Sequence, residues 1–298
     1  MVRFLGGLVA LGLGALAAFW LVTRPQLVPE AELAGLSGDA QAGAAIFWAG
    51  GCASCHAPEE AEGDARLVLS GGAGLVSDFG TFYPPNISPD PTQGIGAWTL
   101  AQFVTAMQNG ISPEGRHYYP AFPYPAYRLA TRRDMADLFA FLQTLPASDA
   151  PSPAHEVGFP FSIRRAVGAW NLLYLSDEFA VADAGLSEAQ HRGRYLAEAL
   201  AHCGECHTPR DALGGPDRAR WLAGAPNPTG SGRIPSLTPD DLTWSQDEIA
   251  AYLNDGFTPE FDSAGGHMRS VILNLANLTG ADRAAIAAYL DAVPPAAD

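Results

Sequence analysis

The pentapeptide Cys52-Ala53-Ser54-Cys55-His56 returns 151 positions later as Cys203-Gly204-Glu205-Cys206-His207. This is the C-x-x-C-H spacing of covalent c-type haem attachment. The two thiols add across the haem vinyl groups, and the adjacent histidine lies under the iron as its proximal ligand. Structural zinc sites or redox dithiols also use C-x-x-C pairs, but a histidine directly after each pair is not the usual zinc spacing. The two motifs consume all four cysteines, so none is left for a disulfide. The cofactor expectation is therefore two covalently bound haem c groups. Cys52, Cys55, Cys203 and Cys206 attach them, and His56 and His207 ligate iron.

With 298 residues there is room for two modest domains, and the chain reads as a duplication. Each half opens with a short amphipathic helix running into its motif, Ala40 to Trp48 and Glu188 to His202, and these carry Gly43 and Gly193. Each has Pro two residues after the motif histidine (Pro58, Pro209), then a Pro-Asp turn, Ser88-Pro89-Asp90 and Thr238-Pro239-Asp240. A Trp then opens a helix, at Trp98-Thr99 and Trp244-Ser245, and the helices stop at Asn109-Gly110 and Asp255-Gly256, where a left-handed cap suits glycine. Each half closes with an apolar-periodic helix, Arg132 to Leu142 and Asp282 to Leu290. Gly43 and Gly193 sit where first and last helices would approach closely. Strand signals are thin, and 32 Gly and 24 Pro make loops a large part of each half. The expected division is 1–25 as an anchor or signal segment, 37–147 and 186–296 as haem domains, and 148–185 as a linker packing across them.

Phe4 to Val22 is apolar and uncharged, with Arg3 before it, Arg24-Pro25 after it and Trp20 near its end. About 19 apolar residues just span a hydrocarbon core. Cleavage at Ala15-Leu16-Ala17 would leave a greasy mature terminus, so an uncleaved transmembrane helix is the expectation. Haem attachment in bacteria is expected on the exported side, which predicts an inner-membrane protein with haem domains in the periplasm. Net charge is −15, from 32 acidic residues and 17 basic ones, all of them Arg. That argues against nucleic acid as a partner.

A low-spin electron-transfer haem usually takes a second axial ligand, often Met. Only four Met are present, Met1 among them. In the second half Gly265-Gly266-His267-Met268 lies in the expected loop before the last helix, which makes Met268 the candidate and His267 the runner-up. From Trp244 to Met268 is 24 positions, and 24 on from Trp98 falls on Phe122, which cannot coordinate iron. Three outcomes follow for the first half, in this order: His117 ligates, the iron is five-coordinate beneath Phe122, or Met107 ligates from the preceding helix. Met135 reads as core. His155, His191 and His202 read as surface or helix-packing residues.

The chain is similar to the cytochrome c subunits of membrane-bound alcohol, gluconate and sorbitol dehydrogenases and their dihaem relatives, over roughly 38–296. The resemblance rests on Gly80-Thr81-Phe82-Tyr83, Asn86-Ile87-Ser88-Pro89-Asp90, Gly94-Ile95-Gly96-Ala97-Trp98 and Tyr119-Pro120-Ala121-Phe122-Pro123-Tyr124. Phe159-Pro160-Phe161-Ser162-Ile163-Arg164, Cys206-His207-Thr208-Pro209-Arg210 and Gly266-His267-Met268 complete it. It implies a mostly α fold of two tandem class I cytochrome c domains with long loops, to which the apolar N-terminal segment read above adds a transmembrane helix. It also implies electron transport between a dehydrogenase or quinol-linked donor and a downstream acceptor. The partners would be redox proteins (a dehydrogenase subunit, an oxidase or a small cytochrome), and the chain would be a carrier rather than an enzyme. The alternative is a peroxidase-like dihaem enzyme or gas-binding protein using an open first haem. Three departures stand out. Those subunits typically carry three haems, have Met where this chain has Phe122, and commonly have a cleaved signal.

Overall fold

The computed structural model describes residues 2–227 and 232–296. Helix α1 (Val2–Val22) leads, and its Phe4, Leu8, Leu13 and Trp20 are all more than half exposed. Among the described residues no helix is long and apolar enough to cross a membrane. The fold therefore does not establish the transmembrane helix expected above.

The two halves are built in the same order. In the first, Asp39 caps α2 (Ala40–Ala49) by accepting from the amides of Gln41 and Ala42. Gly50 and Gly51 follow, the latter at φ 68°, and α3 (Cys52–His56) is the haem motif itself. A hairpin of β1 (Leu75–Ser77) and β2 (Gly80–Phe82) lies in the long loop. Helix α4 (Leu100–Asn109) starts at a Thr99–Gln102 capping box, which satisfies two orphan amides reciprocally, and ends on Gly110 at φ 61°. One turn, α5 (Tyr124–Tyr127), precedes α6 (Arg132–Leu142), which Thr131 caps.

Helix α7 (Arg164–Tyr174) straps the halves together. Its Asn171 accepts from Tyr124 Oη at 2.6 Å in the first half. Its Trp170 donates to Leu213 O at 3.1 Å, and its Tyr174 donates to Asp211 at 2.6 Å, both in the second half.

The second half repeats the plan. A Ser187–Gln190 capping box starts α8 (Glu188–Arg194), which runs into a π-helical turn over Tyr195–Leu200. The motif forms α9 (Gly204–His207). After the short pair β3 (Ala225–Pro226) and β4 (Arg233–Ile234), a Ser245–Glu248 box starts α10 (Gln246–Asp255), which stops on Gly256 at φ 78°. Helices α11 (Gly266–Leu275) and α12 (Gly280–Leu290) finish the domain.

The first and last helices of each half cross at glycine. A Cβ on Gly43 would stand 2.0 Å from the Asp137 carbonyl oxygen of α6, and one on Gly193 would stand 1.8 Å from that of Ala285 on α12. These gaps are far inside van der Waals contact, so only glycine allows the crossing. One apolar core runs through both halves and includes Phe47, Leu69, Leu138, Leu196, Leu222, Leu275 and Tyr289.

The segment read as a loop before the last helix is instead the first turn of α11. Apolar residues at Met268, Val271, Ile272 and Leu275 follow the helical period, which outweighs the glycines before them.

Candidate haem-binding sites

Each motif presents its histidine in the same way. His56 Nδ1 lies 2.8 Å from Pro85 O, and His207 Nδ1 lies 2.8 Å from Pro235 O. A carbonyl oxygen can only accept, so Nδ1 carries the proton and Nε2 keeps its lone pair. That is the tautomer an imidazole needs in order to ligate a metal through Nε2. Burial lowers the pKa of both rings, partly opposed by the bond to the proline carbonyl, so both stay neutral.

The loops that deliver those carbonyls are pinned in parallel. Gly71 N donates to His56 O at 2.9 Å, and Gly224 N donates to His207 O at 2.7 Å. Two residues beyond each proline, Ile87 N bonds Leu69 O at 3.0 Å and Leu237 N bonds Leu222 O at 2.8 Å. The proline carbonyls were not singled out from the sequence. Their signal was present as Pro85-Asn86-Ile87-Ser88-Pro89-Asp90 beside Pro235-Ser236-Leu237-Thr238-Pro239-Asp240, the same polar–apolar pattern twice.

The donor set fits haem and not zinc. None of the four cysteines is in a disulfide, and burial pushes the Cys52 and Cys203 thiols up to about 12 and that of Cys55 to about 11. Such pockets favour uncharged sulfur, as in a thioether, over the thiolates zinc prefers. Among the described residues no three His, Cys, Asp or Glu side chains gather as a metal-holding group, whereas structural zinc takes four ligands.

The candidates for a sixth ligand fall in different surroundings. Met268 is half-buried on α11 and packs against the core, while His267 beside it is exposed. The isolated bridges Ile111–His117 and Phe257–Ser263 align the halves, so His117 is the counterpart of Ser263 and Phe122 that of Met268. His117 is buried with Nε2 2.9 Å from Thr23 O at the end of α1, and its Nδ1 has no hydrogen-bond partner. Phe122 is half-buried between Tyr118 and Tyr127, and Met107 is buried in the main core.

The two motifs also stand close together. His202, directly before Cys203, sets its ring edge-on to Tyr127 at 5.7 Å, and Tyr127 Oη donates to Gly50 O at 2.6 Å. His202 is thus a packing residue between the sites. His155 accepts from Tyr83 N at 3.1 Å, and His191 lies 3.5 Å from Asp183.

A family model for cytochrome c matches residues 40–146 and again residues 191–294. A diheme cytochrome c-type protein of Cereibacter sphaeroides is 54% identical over 288 residues, covering 97% of this chain and 97% of that protein. The fructose dehydrogenase cytochrome subunit of Gluconobacter japonicus is 39% identical over 253 residues, covering 83% of this chain and 51% of its own length. The cytochrome c subunit of the quinone-dependent alcohol dehydrogenase of Gluconacetobacter polyoxogenes is 34% identical over 297 residues, covering 94% of this chain and 60% of its own length.

Proposed function

Since this chain belongs to the cytochrome c family, we propose that it is a dihaem electron carrier serving a dehydrogenase or quinol-linked donor and a downstream acceptor. The two covalently bound haem c groups supply one-electron exchange at iron, and the protein sets where and at what potential it occurs. The observation that carries the reading is the duplicated Nδ1–carbonyl bond, to Pro85 and to Pro235, in halves that each match the family. It holds each proximal ring in one orientation and one tautomer, as a reversible carrier requires of both oxidation states.

The halves differ above the iron. Met268 would give the second centre a thioether ligand, which raises the potential. The first centre has Phe122 at that place and has His117 turned to Thr23 O. We therefore place the lower potential in the first half, so that transfer runs downhill from the N-terminal centre to the C-terminal one. The dehydrogenase names among the relatives support a redox protein as the donor. The apolar α1 supports attachment to the inner membrane, and covalent haem attachment supports a periplasmic position for the haem domains. Resistance of the full chain to alkaline carbonate extraction from membranes is the expected result there, and its release by carbonate would remove the anchor.

An equilibrium redox titration of the full chain should show two one-electron steps, the higher one assigned to the Met268 centre by its absorption. Phe122, packed against Tyr118 and Tyr127, should close the first pocket, so the reduced protein should not take up carbon monoxide. Carbon monoxide binding at the first centre would support a second reading, an enzyme or gas-binding protein acting at an open iron, which the turn of His117 to Thr23 O favours.

A further inference from the structure

We propose that Ser54, Arg66 and Asn274 form a latch through which the first haem motif positions the helix carrying Met268. The proposal rests on the reading of Met268 as the second centre's axial ligand.

Helix α11 is weakly fixed at the end where Met268 stands. Its N-cap is Gly265, which offers no side-chain hydrogen bond, and Gly266 takes φ 53°. The other end is tied, and it is tied to the opposite half. Ser54, between the two cysteines of the first motif, donates through Oγ to Ser270 O at 3.1 Å and accepts from Asn274 Nδ2 at 2.6 Å. Arg66 donates through Nη1 to Leu273 O at 3.0 Å and through Nη2 to Asn274 Oδ1. Asn274 is 2% exposed, and both ends of its amide are used by first-half residues. The guanidinium of Arg66 lies 5.2 Å over the Trp48 ring and at the C-terminal end of α11, where the helix dipole is negative.

These bonds reach across 216 and 220 residues of sequence to a motif that has covalent chemistry of its own. Met268 and Asn274 share one short helix, about 9 Å apart along its axis at 1.5 Å per residue. A helix of that length moves as a rigid rod. Fixing Ser270, Leu273 and Asn274 on the first half therefore fixes the pose of Met268 in the second. Ser54, Arg66 and Asn274 are positioning residues: they act on the second centre through α11.

The test uses the full chain with both haems attached. Asn274→Ala and Arg66→Gln should each weaken the red-region methionine–iron band at least twofold. Each should also lower the reduced-to-oxidised ratio of the second centre at fixed potential at least tenfold, about 59 mV for one electron. Ser54→Thr keeps a hydroxyl and should keep the band. Arg192→Gln breaks the Arg192–Asp282 pair of the second half, 2.8 Å apart and hydrogen-bonded to no residue of α11, and should leave both readouts unchanged. If Asn274→Ala and Arg66→Gln lower only the melting temperature, with band and midpoint as in the parent, the contacts are plain structural glue and the latch is wrong. If Met268→Ala leaves the band in place, the ligand reading itself falls and takes the latch with it. If Met268→Ala removes the band while the latch variants keep it, the latch alone falls.

Discussion

Replacing Gly193 by Ala should destabilise the second half by about 3 kcal/mol or more, at the upper end of the range for overpacking. Intrinsic propensity points the other way, since Ala in a helix interior is better than Gly by about 0.8–1.0 kcal/mol. The crossing decides the sign. The new Cβ would sit 1.8 Å from the Ala285 carbonyl oxygen and 2.5 Å from its carbon, with the Tyr289 Cβ at 2.8 Å. Backbone atoms cannot rotate away, so α8 and α12 would have to separate. Tyr289 of α12 also donates through Oη to Glu198, in the π-helical turn that continues α8, at 2.6 Å, a buried bond that separation would strain. At roughly 4–8 °C per kcal/mol for a domain of this size, the thermal transition of that half should fall by about 12 °C or more. Gly280→Ala is the control. Nothing lies within 4 Å of its added Cβ and its φ is not positive, so stability should hold or rise by about 0.4–1 kcal/mol. Calorimetry on the two variants checks the pair. Equal melting temperatures would mean that the helices do not cross at Gly193.

The features legible in the sequence were the local ones. The C-x-x-C-H runs carry their chemistry within five residues, and the helix starts at Trp98-Thr99 and Trp244-Ser245 and the stops at Gly110 and Gly256 are marked within two. Gly43 and Gly193 were readable because they fell at matching places in two copies, which turns a weak signal into a geometric one. The start of α11 is hidden in the sequence because Gly265-Gly266 looks like a loop, while the period that makes the helix lies downstream of it. The proline carbonyls that orient His56 and His207 are main-chain groups about 29 and 28 residues away, and no side-chain type marks an acceptor of that kind. The placement of His117 depends on Thr23, 94 residues earlier, and the Ser54–Asn274 bond spans 220. Pairings of that range come from how α1 and the two halves dock on one another, which no local pattern records.

Met268→Ala should abolish the red-region methionine–iron band and lower the second centre's midpoint on the order of 100 mV, or about 2 kcal/mol per electron. The shift is modest against the roughly 0.8 V that axial ligands cover across haem proteins. The direction follows from the ligand: a thioether favours reduced iron, and its loss removes that preference. Met268 is only half-buried, so the variant should cost less stability than the 2–5 kcal/mol typical of a fully buried Met→Ala, and the haem should stay attached through Cys203 and Cys206. Met268→His offers a sharper comparison. It should restore a six-coordinate spectrum without the band and leave the midpoint low, separating loss of coordination from loss of sulfur. His267 supplies the competing outcome. Its ring is exposed one position earlier in the same turn of α11, so a backbone rotation would be needed to bring it over the iron. If His267→Ala shifts the midpoint and Met268→Ala does not, the helix is turned in solution, and both halves would then lack a thioether ligand. The downhill order from the first centre to the second would lose the ligand basis given for it, and the proximal bonds do not restore one: the histidine-to-proline distances are the same 2.8 Å in each half.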